Sequence, residues 1–191
     1  MDRRPPDRAR EGGGRALVGD GELLRRGEVL GDPHGGVFGT NKGLESEFGR
    51  QRVRPTPIAE QAIIGAALGA SIAGMRPIAE IMFTDFLGVC LDQIANHAAK
   101  QRYMSGSATH APMVVRVGLG GGMGGFGAQH SQSLEALLAH IPGLSVVMPS
   151  TPADTYGLLR AAIHDPNPVV FVENRLLCAA APAAAPQAAS A

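Results

Sequence analysis

Short apolar runs alternate with longer helical patterns through the middle of the chain. Short runs of apolar and β-branched residues predict strands at residues 52–54, 77–83, 113–117, 144–148 and 169–173. Apolar residues at helical spacing predict helices at residues 56–74, 84–104, 131–141 and 151–163. Repeated strand–helix–strand units predict an α/β fold in three layers, with a doubly wound, largely parallel sheet between two layers of helices. Ligands of such sheets bind beyond the carboxyl ends of the strands.

Threonine residues stand where several of these helices are predicted to begin. Thr56 precedes Pro57, a residue that favours the first helical position, and Thr84 opens the pattern at 84–104. Thr151 begins the segment Thr-Pro-Ala-Asp, which is a variant of the capping box. We therefore expect helix N-caps at these threonines.

The two ends of the chain lack a clear hydrophobic period. Residues 1–27 are rich in Arg, Gly and Pro, which predicts an irregular or disordered N-terminus with no strand before Glu28. Residues 178–191 are mostly Ala and Pro, which predicts a disordered tail. The folded domain is therefore expected at residues 28–177.

Charge and composition exclude several classes of function. The 17 Lys and Arg residues balance the 17 Asp and Glu residues, which argues against nucleic acid or an anionic membrane as partner. No apolar run reaches the ~18 residues that a membrane span needs. The 2 cysteines, Cys90 and Cys178, make neither a disulfide framework nor a zinc cluster. We therefore expect a cytoplasmic protein without nucleic-acid or membrane partners.

One predicted helix carries an acidic residue in an apolar setting. Residues 58–73 are apolar on nearly every side, so this helix should be buried, and Glu60 lies in its first turn. A buried carboxylate needs a partner. One interpretation is an acid that shares a proton with a ligand, and the other is a glutamate stabilised by the helix dipole. The pattern alone leaves both open.

A glycine-rich segment at 118–127 precedes Gln129-His130-Ser131. Its residues Gly120, Gly122 and Gly125 form a G-x-G-x-x-G pattern after a predicted strand, which is typical of nucleotide-binding modules. The acidic residue expected at the end of the next strand is missing, which disfavours that function. His130 lies where loop residues often line a site, although a histidine satisfied by the backbone is the alternative.

Several motifs together resemble one enzyme family. They are Thr-Pro-Ile-Ala-Glu-Gln at 56–61, Arg-Pro-Ile-Ala-Glu-Ile-Met-Phe-Thr-Asp-Phe at 76–86, Arg-Tyr-Met-Ser-Gly at 102–106, Ala-Gln-His-Ser-Gln-Ser at 128–133 and His-Ile-Pro-Gly-Leu at 140–144. Residues 28–177 resemble the beta subunit of the thiamine-diphosphate-dependent 2-oxo acid dehydrogenases (pyruvate and branched-chain) and of the related acetoin dehydrogenase. The resemblance covers that subunit's pyrimidine-binding domain and implies the thiamine-diphosphate-binding fold.

The resemblance implies roles for particular residues. Glu60 is similar to the glutamate that hydrogen-bonds the aminopyrimidine ring of the cofactor. Phe86 matches the aromatic residue that packs on that ring, and Glu28 matches a glutamate that faces the same site. His130 is similar to a histidine that acts as proton donor or oxyanion partner when the acyl group passes to lipoamide.

The resemblance also implies how cofactors are held. This chain is expected to bind the pyrimidine half of thiamine diphosphate, while the diphosphate and magnesium are expected on an alpha subunit. Some family members have a structural potassium site, which implies potassium ligands here. They are the backbones of Met113, Ala162 and Ile163, with Asp165 and Asn167.

The implied partners are an alpha subunit and a second beta subunit in a heterotetramer, together with a lipoyl acyltransferase. Because only half of the cofactor site is implied here, the chain alone is expected to be inactive. One alternative is a non-catalytic remnant that binds partners at most, and another is the nucleotide-binding module. A transketolase-type pyrimidine domain is a weaker alternative, because Gln-His-Ser-Gln at 129–132 fits the dehydrogenases better.

Overall fold

A sheet of six parallel strands forms the centre of the described part of the chain. The computed structural model describes residues 23–28, 30–121, 126–174 and 177. The strands are β1 (Leu23–Glu28), β2 (Val53–Thr56), β3 (Arg76–Ile81), β4 (Val114–Leu119), β5 (Ser145–Val147) and β6 (Val169–Asn174). Their spatial order is β2-β1-β3-β4-β6-β5, and each neighbouring pair is parallel.

Helices connect the strands and cover the sheet. They are α1 (Leu44–Phe48), α2 (Glu60–Ile72), α3 (Gln101–Met104), α4 (Glu135–Ala139) and α5 (Pro152–His164), with a short 3₁₀ turn at Ala128–His130. Residues 84–104 form a continuous helical segment that ends with α3 and is mostly irregular. No helix in the described part of the chain has the length and apolar character needed to cross a membrane.

The core is divided between the two faces of the sheet. One face, here the α2 face, packs Ile64 of α2, Ile94 of the 84–104 segment and Leu138 of α4 against the strands. The other, the α5 face, packs Leu159 and Ile163 against the strands. The expected three-layer α/β fold is confirmed, because strands that are apolar on both sides must be covered on both faces.

The first strand corrects the expectation that residues up to 27 are irregular. Residues 23–28 form β1, which lies between β2 and β3. The run Leu-Leu-Arg-Arg-Gly-Glu does not predict a buried strand, because arginine residues are usually exposed. Arg25 is nevertheless buried in the fold. Residues 1–22 and the predicted tail at 178–191 lie outside the described residues.

Two of the three predicted threonine N-caps differ from the structure. Thr84 is the first residue of a 3₁₀ turn that follows Phe83, and its side chain makes no cap hydrogen bond. Thr56 ends β2 instead of capping a helix, and α2 begins at Glu60 after Ala59. Thr151 does cap α5, since its hydroxyl oxygen accepts a hydrogen bond from the N–H of Asp154 at 3.1 Å.

The predicted helices at 84–104 and 131–141 are also less regular than expected. The first contains 3₁₀ turns at Thr84–Gly88 and Ala98–Lys100 and a π-helical turn at Gln93–His97. The second is reduced to α4. The 3₁₀ and π-helical turns form where packing against neighbouring elements sets the backbone. The spacing of apolar residues predicts a helix but not which type of helical turn it contains.

The strand order creates a crevice between β1 and β3. The chain passes from β1 to β2 on one side and then returns through α2 to β3 on the other side of β1. The carboxyl ends of β1 and β3 therefore flank a topological switch point, where ligands of open α/β sheets bind.

Candidate active site

Two buried carboxylates lie at this switch point. Glu28 is the last residue of β1, and Glu60 is the first residue of α2. Their exposed fractions are 8% and 9%. Among the described residues, neither carboxylate has a hydrogen bond or an ion pair. Burial of such groups without partners costs free energy, which marks them as candidates for a function beyond stability.

The electrostatics of the site agree with this geometry. Burial raises the pKa of Glu28, and the neighbouring charge of Glu60 raises it further. Burial also raises the pKa of the Cys90 thiol to about 12, with Glu60 as the next cause. Cys90 is therefore a neutral thiol at physiological pH, and it packs in the apolar core of the α2 face.

The helix-dipole explanation of Glu60 accounts for only part of this arrangement. Glu60 does lie in the first turn of α2, where the helix dipole favours a negative charge. The dipole gives no reason for Glu28, a second carboxylate close enough for its pKa to respond to the charge of Glu60. A like-charged pair is disfavoured unless a ligand or proton is shared.

Aromatic rings form the adjacent wall. The centroid of the His130 ring lies 5.0 Å from the Phe83 ring and 5.0 Å from the Phe86 ring, nearly perpendicular to both. Phe38 and Phe126 pack edge-on against Phe83 at 5.7 and 5.8 Å. The Cys90 thiol contacts the backbone oxygen of Phe86 at 3.9 Å, which joins this wall to the neighbourhood of Glu60.

The structure therefore brings the sequence-predicted residues Glu28, Glu60, Phe86 and His130 to one edge of the sheet. The Glu28 and Glu60 side chains supply hydrogen-bond acceptors, and the Phe86 and His130 rings supply flat apolar surface. Such a combination suits a planar ligand that carries N–H groups.

The predicted potassium ligands lie elsewhere, around the start of β4 and the end of α5. The backbone oxygen of Met113 accepts a hydrogen bond from the N–H of Val169 at 3.0 Å. The backbone oxygen of Ile163 accepts one from the guanidinium of Arg76 at 2.8 Å. Each of these oxygens thus already has a donor.

The remaining three members of that set form a tight turn. The Asp165 carboxylate accepts hydrogen bonds from the backbone and side-chain amides of Asn167 at 2.7 and 3.1 Å. The N–H of Asp165 lies 3.3 Å from the Ala162 oxygen, and Arg102 donates to the Asn167 side-chain oxygen at 3.1 Å. Potassium binding stays a prediction. In the described ranges, no group of three or more His, Cys, Asp or Glu residues is arranged to hold a metal ion.

The glycine pattern of the alternative nucleotide site is only partly visible. Gly120 follows β4 directly, whereas Gly122 and Gly125 lie outside the described residues. The candidate residues Glu28, Glu60, Phe86 and His130, in contrast, all lie within the described part of the chain.

Sequence reasoning missed a network of paired charges on the α5 face. Arg116 donates to Glu173 at 2.7 Å and to Glu80 at 3.2 Å, and the Asn41 amide donates to Glu80 at 2.7 Å. Arg25 is buried beside them, and burial lowers its pKa to about 10, with the charge of Arg116 as the next cause. The available signal was one charged residue in each of three apolar strands, namely Glu80, Arg116 and Glu173.

Comparison with known proteins identifies the domain. Residues 16–179 match the family described as transketolase, pyrimidine binding domain. This chain belongs to that family. The pyrimidine-binding domain is thus present, which confirms the family recognised from the motifs, and its match begins upstream of β1.

Individual relatives of this pyrimidine-binding domain are dehydrogenase and oxidoreductase subunits. The beta subunit of acetoin:2,6-dichlorophenolindophenol oxidoreductase from Cupriavidus necator is 55% identical over 146 residues, covering 76% of this chain and 43% of that protein. The 2-oxoisovalerate dehydrogenase subunit beta of Bacillus subtilis is 49% identical, with 82% and 47% covered. The pyruvate dehydrogenase E1 component subunit beta of Rhizobium meliloti is 51% identical, with 74% and 31% covered.

A solved structure supports the fold of the pyrimidine-binding domain. A split-gene transketolase, described as an inactive beta4 tetramer, superposes with a TM-score of 0.67 at 22% sequence identity. The match covers 87% of this chain and 50% of that chain. Likewise, the matched region spans less than half of each of the three curated relatives described above.

Proposed function

We propose that this chain is the pyrimidine-binding half of the decarboxylating component of a 2-oxo acid dehydrogenase. The observation that carries the proposal is the pair of buried carboxylates, Glu28 and Glu60, which have no partner among the described residues and lie at the switch point. The beta-subunit names of the relatives support the same assignment.

The residues present fit the aminopyrimidine ring of thiamine diphosphate. That ring is planar and carries an amino group and basic nitrogens, so it suits a carboxylate acceptor and an aromatic neighbour. Glu28 and Glu60 lack partners among the described residues, and Phe86 is only partly buried. A ring bound here would give the carboxylates the partner that the fold leaves out.

Each residue of the site would then have a distinct task. When bound, thiamine diphosphate supplies the carbon nucleophile that attacks the oxo group of the substrate. Glu60 holds a proton at a ring nitrogen of the pyrimidine, and Glu28 faces the same ring as a second hydrogen-bond acceptor. Phe86 orients the ring, and the apolar side chains of α2 exclude water.

His130 serves a later step in this proposal. Its imidazole lies at the same edge of the sheet, against Phe83 and Phe86, where it can donate a proton to an oxygen or sulfur of the reacting group. We assign it the role of proton donor or oxyanion partner during acyl transfer to lipoamide.

The remaining parts of the active site belong to partners in this proposal. An alpha subunit would hold the diphosphate and magnesium, and a second beta subunit would complete a cytoplasmic heterotetramer. A lipoyl acyltransferase would accept the acyl group. The subunit names of the relatives support the alpha partner, since a beta subunit implies a different companion chain.

Reconstitution tests the proposal. The chain is mixed with the alpha subunit of the same organism, thiamine diphosphate and magnesium, and oxidation is followed with 2,6-dichlorophenolindophenol. Pyruvate, 2-oxoisovalerate and acetoin are compared as substrates, since relatives act on each by name. Turnover should fall by about 100-fold or more in Glu60→Gln.

A matched variant makes this test specific. Glu47 is an exposed glutamate in α1, so Glu47→Gln should leave turnover unchanged. Full turnover in Glu60→Gln would refute the role of Glu60. Failure of the wild-type chain to bind the alpha subunit, in a pull-down with both chains folded, would favour the alternative of a non-catalytic remnant.

A further inference from the structure

The segment that carries His130 is fastened to the start of the 84–104 segment by hydrogen bonds. The Thr84 hydroxyl donates to the backbone oxygen of Gln132 at 2.9 Å. The backbone N–H and the side-chain amide of Gln132 both donate to one carboxylate oxygen of Asp85, at 3.2 and 2.9 Å. Asp85 and Gln132 are 47 residues apart in sequence, so this contact ties together two separate parts of the chain.

The second carboxylate oxygen of Asp85 is buried in a close-packed junction. It has no hydrogen-bond partner among the described residues. A Cβ atom at Gly120 would lie 2.9 Å from this oxygen and 2.6 Å from the backbone oxygen of His130. Only glycine fits there, so the end of β4, the Asp85 carboxylate and the backbone of His130 hold one another in place.

The same junction sets the position of the imidazole. Phe86 follows Asp85 directly, and His130 precedes Gln132 by two residues. The rings of His130 and Phe86 lie 5.0 Å apart with an interplanar angle of 89°, and the ring of Phe83 lies 5.0 Å from His130 at 82°. The Asp85–Gln132 contact therefore joins the segment that carries the Phe86 ring to the segment that carries the His130 ring.

We propose that Asp85 is a positioning residue that, through Gln132, fixes the His130 ring between Phe83 and Phe86. Its consequence for turnover rests on the proposed function of His130. Asp85 itself moves no proton in this proposal, because one oxygen accepts both Gln132 donors and the other faces Gly120. Orientation matters because a misplacement of ~1 Å can cost about 100-fold in rate.

Nuclear magnetic resonance of the full chain, labelled with 13C-histidine, tests the proposal without any assay of activity. His130→Gln identifies the His130 signal by its disappearance. In the wild type, the ring currents of Phe83 and Phe86 should displace that signal from its position in unfolded chain. Asp85→Ala should move it most of the way back, whereas Asp85→Asn, which keeps an acceptor for Gln132, should leave it displaced.

Controls separate positioning from folding. Asp92→Ala removes an exposed carboxylate from the same helical segment and should leave the His130 signal unchanged. Circular dichroism establishes that each variant is folded. A displaced His130 signal that survives in Asp85→Ala would overturn the proposal, and so would a signal lost equally in Asp85→Asn.

A second readout uses the reconstituted enzyme. Asp85→Ala should lower kcat by about 10-fold to 100-fold with little change in KM for the 2-oxo acid, and Asp85→Asn should restore most of the loss. Equal kcat in Asp85→Ala and wild type would overturn the positioning role. If the wild-type assembly has no turnover, the proposed function fails, and the resonance experiment alone decides whether Asp85 positions His130.

Discussion

Two groups of buried charges lie on opposite faces of the same sheet. The paired network on the α5 face contains Arg25, Glu80, Arg116 and Glu173. The carboxylate pair on the α2 face contains Glu28 and Glu60, and the pKa of Glu28 is raised by burial and by the charge of Glu60. In the network each carboxylate meets a guanidinium, whereas the pair has no positive partner among the described residues.

The network shows how this fold makes buried charge tolerable. Its 2 arginines and 2 glutamates balance, and they lie on neighbouring strands where side chains of matching parity point to one face. A Cβ atom at Gly27 would come within 2.9 Å of the Glu80 Cβ atom, so even the backbone of β1 leaves room for this row. The unbalanced pair breaks that rule, which is why we assign it a ligand.

Removal of one network charge should have the largest effect on stability. Arg116→Met leaves the Glu80 and Glu173 carboxylates buried without their main partner, so the free energy of unfolding should fall by about 3–5 kcal/mol. Urea denaturation measures this loss. Arg102→Met, at an exposed arginine, should have little effect. Equal stability of the two variants would mean that the buried network does not stabilise the fold, which would contradict the comparison with the carboxylate pair.

Loss of the neutral member of the network should cost less. Asn41→Ala removes the amide that donates to Glu80 at 2.7 Å and the oxygen that accepts from Arg116 at 3.3 Å. We expect the free energy of unfolding to fall by about 1–3 kcal/mol. Asn96→Ala, at an exposed asparagine, serves as the control in the same urea series. A loss larger than that of Arg116→Met would contradict the ranking.

Neutralisation of Glu28, one member of the carboxylate pair, should have the smallest effect on stability, and it should stabilise the fold instead of destabilising it. A raised pKa means that the folded chain binds the Glu28 proton more tightly than the unfolded chain does. Protonated Glu28 therefore contributes to the stability of the folded wild type at low pH. This contribution is lost as the pH rises through the raised pKa of Glu28. Glu28→Gln should be slightly more stable at pH 7, with no advantage below about pH 4.

Thermal unfolding of both chains from pH 4 to pH 8 measures this difference. A second variant tests the coupling of the two acids, because Glu60→Gln should lower the pKa of Glu28 towards its ordinary value. The shift should be partial, since burial is the larger cause. A Glu28→Gln chain that is less stable than the wild type at pH 7 would mean that the carboxylate has a stabilising partner.

The parts of this structure that follow local rules could be predicted from sequence. The strand at 169–173 is a run of β-branched and aromatic residues and lies within β6, and Thr151 caps α5 as its sequence indicates. β1 could not be predicted, because the burial of Arg25 depends on strands that are distant in sequence. The same holds for the irregular turns at 84–104, whose backbone is set by tertiary packing.

The candidate site divides in the same way. Glu60 is visible in sequence as an acid in an apolar helix, whereas the roles of Glu28 and Phe86 are implied by the family resemblance and stay predictions. The contact of Asp85 with Gln132 joins residues that no local pattern relates. Its geometry is visible only after the strands have been assembled.

The Glu28 and Glu60 carboxylates have no partner among the described residues, and we propose that the pyrimidine ring of the cofactor is that partner. Glu60→Gln tests it most directly when cofactor binding and stability are measured on the same variant. Calorimetry on the chain assembled with its alpha subunit and magnesium should find thiamine diphosphate binding strongly weakened, while the Tm of the isolated variant is equal to or above that of the wild type. Unchanged binding, or a loss of stability like that of Arg116→Met, would contradict the account.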